Sequence, residues 1–392
     1  MCMPKNLRND KVAFSLSSFR AGGGEKTMID LANWFSKEGY SVDLLVLSPK
    51  GELADMVNPG VRVITLNTWR IIFALPKFIQ YLRHNRPALI VATDEHTHLL
   101  CLMARFISGS RTRVALRMGN MFSELYGRYS GIKRHFTYFL MRRLYRYADV
   151  VIANSQGVAD DIVSIASLDL KKVSVIYNPK PLTDIRSKAE QQTGCVWLDE
   201  KTLPVVVGVG RLREQKNFSM LIRAFGNVLK KKPARLLIVG SGREEERLRS
   251  LIEELGLESS VLLVGYSDNP YAFMAKADVF AFSSLWEGMP NALMEAMVCG
   301  IPVVANDCPS GPRELLAPNS DHTKRLTGGS EDAPFGILVA LGDEDAFSES
   351  IVRMLEDNEL RETYSRASVM RAEAFDTDSI MRQYEAAFRI KN

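Results

Sequence analysis

Short apolar runs alternate with segments of helical periodicity along almost the whole 392-residue chain. In its first part "VAFSLS", "VDLLVLS", "ALIVATD", "RVALRM" and "DVVIANS" are continuous enough for strands covered on both faces. A segment with apolar residues three and four apart follows each of them. The alternation predicts one doubly wound α/β domain over residues 1–179. Residues 180–202, "KPLTDIRSKAEQQTGCVWLDEKT", turn polar and charged and predict an interdomain linker. The pattern restarts with "LPVVVGVGR", "RLLIVGSG", "VLLVGYS", "DVFAFSS" and "IPVVAND", separated by helical stretches such as "EEERLRSLIEELG". A second Rossmann-like domain is therefore expected over 203–376, with a long turn-rich loop at 316–336.

A chain this long is expected to build two cores rather than one. With 46% hydrophobic and 24% charged residues it reads as globular. It has no run of 18 apolar residues, and the start "MCMPKNLRNDK" lacks the apolar region of a secretory signal, so a cytoplasmic protein is predicted. Five scattered cysteines without C-x-x-C spacing suit reduced thiols. Charge changes the picture more. Residues 1–186 carry 26 Lys and Arg against 15 Asp and Glu, a balance of +11, and the remainder carries −7. The halves face different partners, or one of them faces an anionic surface.

Candidate chemistry begins at "AGGGEKT", residues 21–27. A Walker loop needs Lys directly after its last Gly, and here Glu25 separates Gly24 from Lys26. What remains is an apolar strand, flexible backbone at Gly22, Gly23 and Gly24, and an amphipathic helix from about Glu25 to Lys37. Such a unit aims amides and a positive helix end at an anion. A tight turn that binds nothing has the same local sequence.

The stretch 283–316, "SSLWEGMPNALMEAMVCGIPVVANDCPSGPRELL", carries the strongest signal. A strand ends at Ser283 or Ser284, Gly288 supplies a turn, Pro290 suits a first helical position, and the helix runs to Gly300. Helix N–H groups near Met289 to Ala292 then face the carboxyl edge of a sheet, where α/β folds bind ligands. Glu287 precedes the helix and Glu295 lies inside it, about 12 Å apart along the axis if both are helical. Carboxylates beside an anion site are suited to accepting hydrogen bonds from hydroxyls on either side of it.

This E-x7-E segment, followed by "GIPVVANDCPSGPREL", resembles the retaining glycosyltransferases of family 4 with the GT-B fold, in which two Rossmann-like domains face each other across a cleft. The likeness covers nearly the whole chain. "GGGEKTMIDLANWFSKEGYSVDLL" is similar to that family's first glycine loop and helix, "IYNPK" to the end of its N-terminal domain, "GVGRLREQKN" to its phosphate-binding strand end, and "AFDTDSIMRQYEAAF" to a last helix, about 377–392, that returns to the first domain. Within the family the chain resembles bacterial enzymes extending lipid-linked or cell-surface glycans, several of which use UDP-N-acetylhexosamines.

The resemblance implies roles residue by residue. Glu287 contacts donor sugar hydroxyls, Glu295 the ribose hydroxyls, and Arg211 and Lys216 the diphosphate. Backbone from Gly288 through Met289 and Pro290 to Asn291 helps hold the phosphates, Gly22 to Gly24 close over them, and Gly265 and Tyr266 cradle the base. Family members often carry a His near the reacting carbon, where this chain has Arg117 in "VALRMGN". A guanidinium is no general base, so Arg117 is expected to bind an anionic acceptor or a phosphate. In the family the leaving phosphate is thought to act as base, with transfer on one face of the sugar and no metal or cofactor. The nucleotide-sugar, UDP-linked in the closest patterns, is a substrate.

"TDEHTH" offers Asp94, His96 and His98 as metal ligands, but nothing completes a shell, and Asp343-x-Asp345 reads as a helix N-cap. The segment 126–147 interleaves Arg128, Lys133, Arg134, His135, Arg142, Arg143 and Arg146 with aromatics, which suits an anionic lipid surface at the inner face of the plasma membrane and equally a packing helix with a solvated basic face. No nucleic-acid module accompanies it. The expected partners are a nucleotide-sugar donor, a glycan or glycolipid acceptor and an anionic membrane, with no nucleic acid. A sugar-nucleotide epimerase, a transferase with a soluble acceptor, a nicotinamide oxidoreductase and a lectin-like binder are the alternatives. The missing G-x-G-x-x-G counts against the oxidoreductase.

Overall fold

A computed structural model of the chain describes residues 11–20, 22–68, 71–127 and 131–388. The chain folds into two units: the first extends to Asn178 and resumes at Ile380, and the second is Pro179–Ser379.

In the first unit the strands are β1 (Lys11–Ser18), β2 (Ser41–Ser48), β3 (Val61–Thr65), β4 (Leu89–Ala92), β5 (Arg113–Met118), β6 (Val150–Ala153) and β7 (Val173–Val175). They lie in the order β3-β2-β1-β4-β5-β6-β7, every neighbouring pair parallel. Parallel pairing needs crossovers, supplied by helices α1 (Gly23–Lys37), α2 (Ile71–Asn85), α3 (Glu95–Ser108), α4 (Phe122–Gly127), α5 (Gly131–Leu144) and α6 (Gln156–Ala166). Helices on both faces explain why β4 and β6 are buried at every position and read as unbroken apolar runs.

The second unit repeats the plan. Strands β8 (Val205–Val209), β9 (Arg235–Val239), β10 (Val261–Gly265), β11 (Val279–Phe282), β12 (Val303–Asn306), β13 (Ser330–Ala333) and β14 (Gly336–Val339) take the order β10-β9-β8-β11-β12-β14-β13. Only the β13–β14 edge is antiparallel. Its helices are α7 (Leu182–Ala189), α8 (Val196–Asp199), α9 (Phe218–Leu229), α10 (Glu245–Glu254), α11 (Pro270–Lys276), α12 (Asn291–Val298), α13 (Pro312–Leu316), α14 (Glu344–Glu356) and α15 (Asn358–Ala372). A last helix, α16 (Thr377–Phe388), carries the chain back into the first unit, where Ile380, Met381, Tyr384 and Phe388 join the apolar cluster of Met28, Leu31 and Phe35 from α1.

Two expectations change. The stretch 180–202 is not an irregular linker, because α7 and α8 occupy much of it and belong to the second unit. The loop 316–336 contains β13, a polar edge strand whose Ser330 and Asp332 are exposed. Among the described residues no helix is long and apolar enough to cross a membrane.

Each sheet reverses its strand order beside its first strand, between β1 and β4 and between β8 and β11. The connections leaving those two strands splay to opposite faces, opening a crevice at their carboxyl ends. The turns that carry Arg211, Lys216 and Glu287 leave β8 and β11 at the crevice of the second unit.

Candidate active site

Beyond β8 the chain makes a turn containing Arg211, Arg213 and Lys216, and beyond β11 it makes a second one, Ser283 to Pro290. Backbone and amide hydrogen bonds hold the two turns together. Leu285 N–H donates to Gln215 O, Gln215 Nε2 to Trp286 O, and Ser283 Oγ to Lys216 O, at 2.8, 2.8 and 2.7 Å. Asn306 Nδ2 anchors Ser283 O from β12 at 2.8 Å. Within this frame the Lys216 ammonium lies 2.6 Å from Glu287 Oε1 and 5.3 Å from the Phe282 ring centroid.

The turn after Glu287 is clamped from the loop preceding α13. Ser310 Oγ donates to Gly288 O at 2.7 Å, and Glu287 N–H reaches Pro309 O at 3.2 Å. Gly311 sits at φ +89, and a Cβ there would stand 2.3 Å from Pro290 Cδ. The S-G of "CPSGPREL" is thus a steric requirement of the "EGMPN" turn. Pro290 is the N-cap of α12 rather than its first residue, and the helix starts at Asn291. The amino end of α12, with Gly288 and Met289 before it, therefore opens toward the carboxyl edge of the sheet.

Arg211 is exposed near two further guanidiniums. Burial, then the like charges of Arg211 and Arg243, push the Arg213 guanidinium below its ordinary range. The turns that carry them touch backbone to backbone: at Gly240, with φ +145, a Cβ would fall 1.9 Å from Gly210 O. Gly240 N–H also donates to Gly265 O at 2.7 Å, which sets Tyr266 beside this edge with its side chain exposed. The result is a concentration of positive charge at the switch point, which favours an anion.

Glu295, inside α12, is held by a residue that the sequence did not single out. Lys180 Nζ lies 2.8 Å from Glu295 Oε1, both side chains largely buried. The Lys180 backbone is fixed as well, donating to Phe375 O at 2.7 Å and accepting from Thr377 N–H at 3.1 Å. "IYNPK" was in view as a domain end, and its lysine is the signal that could have revealed this pair.

In the first unit, helix α1 already begins at Gly23, so Gly23 and Gly24 form its first turn and Gly22 its N-cap. Lys26 N–H donates to Gly22 O at 3.0 Å. At this helix end, beside the switch point after β1, the Glu25 side chain lies against Gly22, in the space that a Cβ there would occupy. Arg117 of β5 is only 1% exposed. Its Nε donates to Tyr384 OH at 3.0 Å, Nη2 to Asn178 Oδ1 at 2.6 Å and Nη1 to Thr93 Oγ1 at 3.4 Å. The guanidinium is enclosed by neutral oxygens of its own unit, a setting quite unlike the anion contact expected from the sequence.

The residues of "TDEHTH" have local roles. Asp94 caps α3 with Thr97 in a reciprocal box, His96 faces Glu95 at 3.7 Å, and buried His98 meets Tyr145 OH at 3.0 Å. Asp343 caps α14 by accepting from Ala346 N–H at 3.0 Å. Of the basic segment, Arg128 and the Lys133 side chain lie outside the described residues. Arg134, His135 and Arg142 line one pocket with Tyr138 and Phe139 of α5 and Ser123 of α4.

Comparison with known proteins gives the class of the chain. Residues 196–369 fit the family model described as "Glycosyl transferases group 1", and residues 21–182 fit "Glycosyltransferase Family 4". The chain is 36% identical over 287 residues to the N-acetylgalactosamine-N,N'-diacetylbacillosaminyl-diphospho-undecaprenol 4-alpha-N-acetylgalactosaminyltransferase of Campylobacter jejuni, covering 72% of this chain and 71% of that protein. It is 25% identical over 366 residues to the amylovoran biosynthesis glycosyltransferase AmsD of Erwinia amylovora, covering 93% and 95%. Among solved structures, Anabaena Alr3699/HepE in complex with UDP-glucose superposes with a TM-score of 0.77 at 22% identity, over 96% of this chain and 99% of that one, a likeness of fold. The chain belongs to the GT-B glycosyltransferases, with group 1 and family 4 domains. It is a glycosyltransferase.

Proposed function

We propose that the protein is a retaining, metal-independent transferase that moves a hexose or N-acetylhexosamine from a UDP-linked donor to a lipid-linked or cell-surface glycan. The observation that carries this reading is the Lys216–Glu287 pair beside Arg211 at the switch point of the second sheet. Arg211 and Lys216 take the donor diphosphate and offset the charge that grows on it as the sugar departs. Glu287 accepts hydrogen bonds from the sugar and Glu295 from the ribose. An acceptor oxygen bonds to the anomeric carbon as the bond to phosphate breaks, and the acceptor's proton passes to a phosphate oxygen. The Campylobacter relative's name, which includes a diphospho-undecaprenol, supports the acceptor class.

A thermal-shift screen with UDP-, GDP- and ADP-sugars tests the donor, since a ligand at 100 times its Kd stabilises by about 2.7 kcal/mol. UDP-sugars should shift the midpoint and the others not. The anomeric coupling constant of the product, and rates in the presence of a chelator, test retention and metal independence. No shift with any nucleotide-sugar would remove the donor assignment.

The acceptor class is further supported by α5. Ile132, Phe136, Phe139 and Arg143 recur at helical spacing on one face, with Ile132 87% and Phe136 62% exposed. Arg143 lies over the Phe139 ring and Arg146 over Tyr147, at 5.3 and 5.0 Å. Aromatic and basic groups mixed in this way suit the headgroup region of an anionic bilayer. Arg142 instead donates to Ile165 O at 2.9 Å and holds α5 in place. Phe136→Ser/Arg143→Ser/Arg146→Ser should therefore reduce sedimentation with vesicles containing phosphatidylglycerol. Equal binding of wild type to neutral and anionic vesicles, or to neither, would favour a soluble acceptor.

A further inference from the structure

We propose that a basic cleft at the opposite edge of the first sheet binds a phosphate-bearing ligand. The cleft lies at the amino ends of β1, β4 and β5, away from the edge that carries Gly22 to Gly24, and has a volume of about 950 Å³. Lys11, Arg83, Arg86 and Arg111 line it together with the hydroxyls of Ser110 and Thr112, and no Asp or Glu is among its lining residues.

Local structure accounts for only part of this charge. Arg83 Nη2 donates to Ile107 O at 3.5 Å and Arg86 Nε to Arg83 O at 3.3 Å, so each satisfies a carbonyl near a helix end with one of five donors. Lys11 lies 3.6 Å from Asp43 Oδ2, but that carboxylate already accepts from Arg62 at 2.8 and 2.6 Å and from Tyr81 at 2.7 Å. Arg111 makes no side-chain hydrogen bond or ion pair with any described residue. Three guanidiniums without a carboxylate partner thus converge on one cleft, a mutual repulsion that an anion relieves.

The backbone adds a second observation. Arg86 is held at φ +43, a conformation that a residue with a long side chain rarely adopts, directly before Pro87. That conformation keeps Arg86 in the cleft wall. Guanidinium forks match the oxygens of phosphate better than they match a single-point acceptor. The volume exceeds that of one phosphate and leaves room for a headgroup or sugar attached to it. Phe106, 86% exposed on the last turn of α3, and Ile107 next to it would meet hydrocarbon if the phosphate belonged to a lipid. A free phosphorylated metabolite is the other source of the same chemistry. The inference does not rest on the transferase reading.

The test is titration calorimetry with inorganic pyrophosphate in an Arg211→Ala/Lys216→Ala background, which silences the anion site proposed in the second unit. Binding should persist there and weaken roughly tenfold or more when Arg83→Gln, Arg86→Gln and Arg111→Gln are added. The exposed Arg111→Gln alone, with an unchanged melting midpoint, should already weaken it severalfold. Sedimentation with 70:30 phosphatidylcholine:phosphatidylglycerol vesicles, with Phe136→Ser/Arg143→Ser/Arg146→Ser added to remove the α5 face, separates the sources: a loss in the Gln variants identifies a lipid phosphate, and unchanged sedimentation with lost pyrophosphate binding identifies a soluble ligand. Absence of pyrophosphate binding in the background protein, or an affinity unaltered by the Gln substitutions, overturns the proposal.

Discussion

The Lys216 ammonium lies 2.6 Å from Glu287 Oε1, so the cation expected to meet a diphosphate already neutralises the carboxylate expected to meet the sugar. A donor must draw Lys216 away, and in doing so it frees Glu287 for hydroxyls. Glu287→Gln removes that competition. Free UDP should then bind roughly three- to tenfold more tightly while transfer slows about a hundredfold, a divergence that calorimetry and initial rates can read. Weaker UDP binding by the variant would mean that the pair does not compete with the nucleotide.

Lys180 fixes Glu295 from 115 residues away in sequence. Lys180→Met should let the carboxylate swing and weaken UDP binding roughly tenfold, with Glu295→Ala doing the same. The informative comparison is UDP against 2'-deoxy-UDP. Wild type should prefer the ribonucleotide, and both variants should lose that preference. A retained preference in Glu295→Ala would remove the carboxylate from the ribose.

Arg117 connects β5 to Asn178 and to Tyr384 of α16, so its removal takes a charged donor from two buried oxygens and opens a cavity. Arg117→Met should destabilise the protein by about 2 to 4 kcal/mol in urea unfolding. Tyr384→Phe, losing one bond, should lose about 1 kcal/mol. A stable Arg117→Met protein with impaired turnover would instead restore the substrate contact that the sequence suggested.

Burial lowers the His98 pKa from 6.5 to about 4, outweighing the Asp94 charge and the carbonyls of Arg117 and Ala92 that favour the cation. An unfolded imidazole takes up a proton below pH 6.5 and the folded one does not until about pH 4. This contribution to stability is therefore complete above the unfolded pKa and is lost as pH falls through the window, by about 3 kcal/mol at its lower end. His98→Gln should flatten the stability profile between those limits relative to wild type. Parallel profiles would show that His98 titrates normally.

The central strands were legible in the sequence because both of their faces are covered: β4, β6, β8 and β11 are apolar at almost every position, and periodicity alone locates them. β13 was hidden because an edge strand with Ser330, Glu331 and Asp332 looks like a loop until its partner β14 is seen. The same loss of context concealed Lys180, whose partner is distant in sequence, and misplaced Arg117, since a guanidinium reads as a surface group unless Thr93, Asn178 and Tyr384 are known to surround it. The placement of Glu287, Lys216 and Arg211 was readable because their motifs lie on turns next to strands whose order follows from the α/β alternation.

The return of α16 has a consequence for how such proteins can be recombined. Because Ile380, Met381, Tyr384 and Phe388 are stitched into the hydrophobic cluster of the first unit, its core is encoded in two segments separated by the whole second unit. A chimaera made with a single junction at Asn178 would import a foreign terminal helix into that cluster. A graft of the second unit needs two junctions, at 178/179 and at 379/380, so that the native helix stays with the strands it covers.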